Sequence, residues 1–105
     1  YIYNTDTTAV DNPVLKIGST CGINARIKHY KQTHPYGKLV FHKEITNPLT
    51  NLVLLEKLIH NKLGAFHIKG ETFRIDVEEA ILVVLSTLSD LDLYQISNKV
   101  DRQLK

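Results

Sequence analysis

With 105 residues, 43% of them hydrophobic and 23% charged, the chain has the size and make-up of one globular domain, which buries roughly 60–70% of its unfolded surface. No apolar run approaches the ~20 residues of a membrane span and no segment has the layout of a signal peptide, so an intracellular protein is expected, neither secreted nor membrane-spanning. The net charge of +2 is unevenly spread: residues 12–43 hold six basic side chains and no acid, residues 71–92 six acids and Arg74. That pattern suits a first half that meets a polyanion, or two solvated faces of opposite sign.

The chain opens on Tyr1 rather than Met, as expected of a trimmed start or of a longer protein cut down. Tyr1 to Asn4 alternates and is rich in aromatics, which predicts a strand. Asp11-Asn12-Pro13 closes a polar stretch with a turn signal, and Val14 to Gly18 follows as a second strand paired with the first. Cys21 stands alone, which excludes an intrachain disulfide and a cysteine-based zinc site and suits a reducing compartment. Ile23 to Lys31 has helical spacing, and His34-Pro35-Tyr36-Gly37 ends it. Lys38 to Ile45 alternates and reads as a third strand. Asn47 as cap and Pro48 at the first helical position open the longest predicted helix, which runs to Leu63 and stops at Gly64. Thr72 to Ile75 reads as a short strand or an extended loop. Asp76 caps an apolar helix from Val77 to Leu88, with Glu79 three positions on, and Asp90 to Lys105 reads as a last helix. The order β-β-α-β-α-(β)-α predicts an α+β fold, a small antiparallel three-stranded sheet flanked by helices. Residues 1–89 are expected to form the domain, with residues 90–105 a helical extension of it.

Alternate strand residues share a face. Tyr1 and Tyr3 therefore point one way and Ile2 the other. With Leu15 and Ile17 in the core beside Ile2, Lys16 lies on the side of the tyrosines. Gly18 removes a side chain there, so a backbone or a ligand can approach. On the next helix Ile23, Arg26, Ile27 and Tyr30 fall on one stripe. An arginine in an apolar stripe is aimed at an anion, or snorkels with its stem packed and its head wet. On the long helix Glu56 sits among Leu49, Leu52, Val53, Ile59, His60 and Leu63, while Leu54, Leu55 and Leu58 make the other side apolar too, so the helix is expected to be covered on much of its circumference. A carboxylate in such a place is paired, with Arg26 or another cation, or holds a divalent metal. His60, one turn from Glu56, reads as a partly buried histidine with a hydrogen bond or as a neighbour of the metal.

Together and in this order these segments resemble the GIY-YIG nucleases, over roughly Tyr1 to Ile75. Tyr1-Ile2-Tyr3 matches the first motif, with Tyr for the usual Gly. Lys16-Ile17-Gly18 matches the second, with Lys for its first Tyr, as in some restriction-enzyme members, and the twelve residues between the motifs are close to the usual loop. Arg26 matches the arginine of the first helix, Tyr30 the position often held by His or Tyr, and Glu56 the metal-binding glutamate of the central helix. A subgroup common in phages and large DNA viruses is especially similar, with its Lys-Ile-Gly second motif and a stretch like Gly70-Glu71-Thr72-Phe73.

The resemblance implies an endonuclease that hydrolyses DNA with one metal ion, Mg²⁺ or Mn²⁺, held by Glu56. In that reading Arg26 holds the scissile phosphate, Tyr3 takes the proton of the water, Lys16 favours the Tyr3 phenolate or positions the water, and Tyr30 orients phosphate or water. Lys28, Lys31, Lys38 and Lys43 guide the DNA backbone without reading sequence. A further DNA-binding domain or protein partner is expected to supply specificity. Two rivals keep the same fold: a DNA-binding module with weak or no catalysis, which the Lys16 replacement suggests, and a protein-interaction domain using the apolar last helices.

Overall fold

The computed structural model describes residues 1–9, 11–46 and 50–104. Five short strands form one antiparallel sheet in the order β3-β1-β2-β5-β4. They are β1 (Ile2–Asn4), β2 (Val14–Ile17), β3 (Lys38–Phe41), β4 (His67–Lys69) and β5 (Thr72–Arg74). Ile2 lies opposite Ile17 and Phe41, and Leu15 opposite Phe73. Residues paired across an antiparallel ladder share a face, so this register collects the apolar side chains on one side. Tyr3 opposite Lys16, and Lys16 opposite Thr72, fall on the other.

Each face has its own helices. On the apolar face, Leu55, Ile59 and Leu63 from α2 (Leu52–Lys62) and its C-cap pack on Ile2, Leu15, Ile17 and Phe73. Ala80 and Val84 of α3 (Val77–Leu104) complete that core. On the tyrosine face lies α1 (Ile23–Thr33), whose buried residue Tyr30 packs its ring 5.1 Å from that of Tyr3. No described helix is long and apolar enough to cross a membrane.

The α+β class stands, and the sheet carries two more strands than expected. β4 is exposed along its length, so no apolar alternation marks it. A two-residue turn, Gly70-Glu71, joins it to β5, and Gly70 supplies the left-handed backbone the turn needs, at φ +53°. β3 is shorter than its alternating stretch and ends at Phe41. The expected cap at Asn47 and Pro48, and Leu49 beyond them, lie outside the described residues. The cap of α2 is Asn51, whose side chain accepts from Leu54 N at 3.1 Å. Nor is α2 covered around its circumference: Val53 and Leu54 face solvent. The two helices expected after Asp76 are one, because neither Gly nor Pro interrupts residues 77–104. Asp76 caps it, accepting from Glu78 N at 3.2 Å.

Candidate active site

Where β2 ends, at Gly18 and Ser19, three elements bring polar side chains together. Tyr1 enters beside Gly18, with Gly18 N donating to Tyr1 O at 3.2 Å. Arg26 and Tyr30 arrive one helical turn apart on α1. Glu71 sits on the β4–β5 turn, held against β2 by a 2.8 Å bond from Ile17 N to its carbonyl. The Tyr1 hydroxyl donates to Glu71 Oε2 at 2.7 Å and the Tyr30 hydroxyl donates to the same oxygen at 2.8 Å. The two hydroxyl oxygens are 2.8 Å apart. Arg26 reaches within 4.0 Å of that carboxylate oxygen, and its guanidinium lies 5.9 Å from the centre of the Tyr1 ring. With 39% and 27% of their side chains exposed, Arg26 and Glu71 gain little from this pairing as an ion pair. Its value is to aim the guanidinium into the site.

The protonation states follow from this packing. Burial pushes the Tyr1 hydroxyl far above the usual tyrosine range, and its bonds to Tyr30 and Glu71 act in the same direction. Burial raises Tyr30 as well. For Glu71, burial works against the charge, but the hydrogen bonds from Tyr1 and Tyr30 and the Arg26 charge outweigh it and hold the carboxyl below its ordinary value. At neutral pH the cluster therefore contains two neutral hydroxyls, a carboxylate and a guanidinium.

Across the site, α2 presents Glu56. Ser19 donates to its Oε2 at 2.6 Å, and His60, one turn on, lies 3.9 Å from Oε1. His60 Nε2 is 2.8 Å from the Ile17 carbonyl, an acceptor only, so that nitrogen carries the proton. Tyr1, Gly18, Ser19, Glu56 and His60 line one end of a cleft of about 520 Å³. Among the described residues no group of three His, Cys, Asp or Glu side chains could hold a metal ion. The donor at this end of the cleft is thus the Glu56 carboxylate, with oxygen-bearing groups such as Ser19 around it. That fits a hard divalent cation that keeps most of its waters, and does not fit zinc.

Residues 1–87 match the family model of the T5orf172 domain. The chain belongs to the T5orf172 domain family. The family is nuclease-related, and the match takes in every element around the cleft before ending within α3. No curated protein and no solved structure matches the chain.

In this T5orf172 domain Arg26, Tyr30 and Glu56 all reach the site, Arg26 and Tyr30 on the Glu71 side and Glu56 on the cleft side. Tyr3, expected to take the proton of the water, is fully buried, and its hydroxyl donates to the His34 carbonyl at 3.2 Å. Its ring supports Tyr30, and Tyr1 is the tyrosine of the first motif that enters the cluster. Lys16 lies on the tyrosine face as the alternation predicts, with Nζ donating to Thr72 Oγ1 at 2.6 Å. Lys28, Lys31, Lys38 and Lys43 are exposed. The residues that the sequence reading missed are Ser19 and Glu71. Ser19 carries no pattern of its own. Glu71 has a signal, an acid directly after a glycine between two short strands, which is where a tight turn projects a side chain.

Proposed function

We propose that this T5orf172 domain is a metal-dependent endonuclease of the GIY-YIG type that hydrolyses DNA phosphodiester bonds. The observation that carries this reading is the convergence of Arg26 and the Tyr1 and Tyr30 hydroxyls on one anionic oxygen, beside Glu56, at an open cleft. Those donors suit the charge that builds on a phosphate under attack. A Mg²⁺ or Mn²⁺ ion held by Glu56 would supply charge stabilisation and assist the leaving oxygen. Ser19 fixes one oxygen of Glu56 and leaves the other towards the cleft. Arg26 holds the phosphate with its planar fork. The Tyr1 hydroxyl, neutral and bonded to Glu71, orients the attacking water by accepting a hydrogen bond from it, and Tyr1 rather than the buried Tyr3 is the tyrosine placed to meet that water. Tyr30 orients the phosphate. Lys16 keeps a positive charge on this face, and Lys28, Lys31 and Lys38 meet the DNA backbone.

The test is nicking of supercoiled plasmid and branched oligonucleotides with Mg²⁺, Mn²⁺ or EDTA, beside Glu56→Ala. Nicking that needs metal and is lost in Glu56→Ala, with DNA affinity retained, is the expected result; equal nicking by the variant would remove Glu56 from the mechanism. One observation favours a second reading, a DNA-binding module without turnover: the bond of Lys16 to Thr72 directs its Nζ along the sheet. That reading expects a gel shift that metal does not change and no nicking.

A further inference from the structure

Gly18 lacks a side chain just beyond the end of β2, at a crowded point. A Cβ placed there would collide with the Glu71 carboxylate and would lie 2.9 Å from the Tyr1 hydroxyl. The space that the glycine leaves is therefore filled from within the protein, by Glu71. Its carboxylate is then the point at which Tyr1, from the start of the chain, and Tyr30 and Arg26, from α1, are brought into one array.

We propose that Glu71 is a positioning residue of the site: its carboxylate sets the Tyr1 and Tyr30 hydroxyls and the Arg26 guanidinium in the arrangement that the phosphate meets, and Gly18 is the residue that admits it. The role rests on the nuclease reading and deepens it. Three features support it. Both hydroxyls lie within 2.8 Å of one Glu71 oxygen and 2.8 Å of each other, so the carboxylate is the acceptor about which the two tyrosines are gathered. The Glu71 backbone is pinned to β2 by the bond from Ile17 N, so the carboxylate is placed by the sheet and not by a mobile loop. Glu71 also follows Gly70, whose left-handed backbone sets the turn that projects it. A group that acts through its neighbours in this way governs the rate more than the affinity, since DNA is gripped largely by phosphate contacts elsewhere.

The experiment compares wild type with Glu71→Gln, Glu71→Asp and Gly18→Ala in Mg²⁺. It reads kcat and KM for nicking, DNA affinity in EDTA and thermal melting. Glu71→Gln and Gly18→Ala are expected to lower kcat by about a hundredfold, the scale of losing a preorganised polar contact at a reacting centre, with affinity in EDTA changed by less than about threefold. Glu71→Asp, one methylene shorter, is expected to recover part of the loss. The proposal is overturned if Glu71→Gln turns over like wild type, or if its kcat falls only in step with affinity or with loss of the folded form. A wild-type protein that binds DNA and never nicks it would overturn the nuclease reading itself, and this role with it.

Discussion

Two residues apart, Tyr1 and Tyr3 leave the same face of the sheet and meet different chemistry. Tyr3 is closed off beneath α1, where Gly37 has no side chain to strike its ring. Tyr1 stands at the mouth of the cleft with its hydroxyl on Glu71. Tyr1→Phe is therefore expected to lower nicking by about a hundredfold, with the melting temperature little changed. Tyr3→Phe gives up one long hydrogen bond, a loss of about 1 kcal/mol in urea unfolding, with the rate almost untouched. Initial rates and urea midpoints of the two variants decide this; the reverse order of rates would return the role to Tyr3. Arg26, Tyr30 and Glu56 were legible in the sequence because helical spacing ties each to neighbours three or four residues away. Glu71 was not, because its partners Tyr30 and Tyr1 lie 41 and 70 residues back, and only sheet pairing brings them together.

Elements were legible where the chain states its own boundaries. Asp76 announces α3, and the stripe of Ile23, Arg26, Ile27 and Tyr30 announces α1. β4 gives no such notice, since His67, Ile68 and Lys69 all face solvent, and its place is fixed by Gly70 and by Phe73 on the neighbouring strand. The ring of Phe73 lies 4.9 Å from that of His60 and 5.0 Å from that of His67, and its residue is fully buried. The β4–β5 hairpin is thus fastened to α2 through one aromatic side chain. Gly70→Ala is expected to cost about 1 kcal/mol, because a Cβ strains a left-handed backbone. Asn51→Ala is expected to cost about 1 kcal/mol for the lost cap of α2. The two should differ in kind. Gly70→Ala shifts Glu71 and lowers nicking beyond its effect on stability, whereas Asn51→Ala lowers the urea midpoint and leaves the rate of the folded protein as it was. Parallel urea titrations and rate measurements read both, and a nicking rate in Gly70→Ala equal to that of wild type would separate the turn from the site.

At the scale of the whole molecule, the uneven charge along the sequence becomes a difference between two faces of the sheet. The helix carrying Arg26, Lys28 and Lys31 packs on the tyrosine face, and Lys31 and Lys38 border the same shallow hollow. The acids Glu78 and Glu79 open α3, which packs on the apolar face. On the proposed nuclease reading, this field would attract a polyanion on the side of α1 and repel it on the side of α3, which would lead its backbone across α1 towards Arg26. Each lysine in contact with phosphate releases condensed counterions, and the logarithm of affinity then falls with the logarithm of salt by about one unit of slope per contact. Lys28→Ala, Lys31→Ala and Lys38→Ala are each expected to weaken duplex binding in EDTA irrespective of its sequence and to reduce that slope by about one. Glu78→Gln is expected to leave the slope unchanged, because Glu78 belongs to α3, on the opposite face of the sheet from α1. Fluorescence anisotropy across a salt series measures both. If the lysine variants keep the wild-type slope while Glu78→Gln alters it, the DNA runs over α3 instead, and the cleft beside Glu56 is reached from the other face of the sheet.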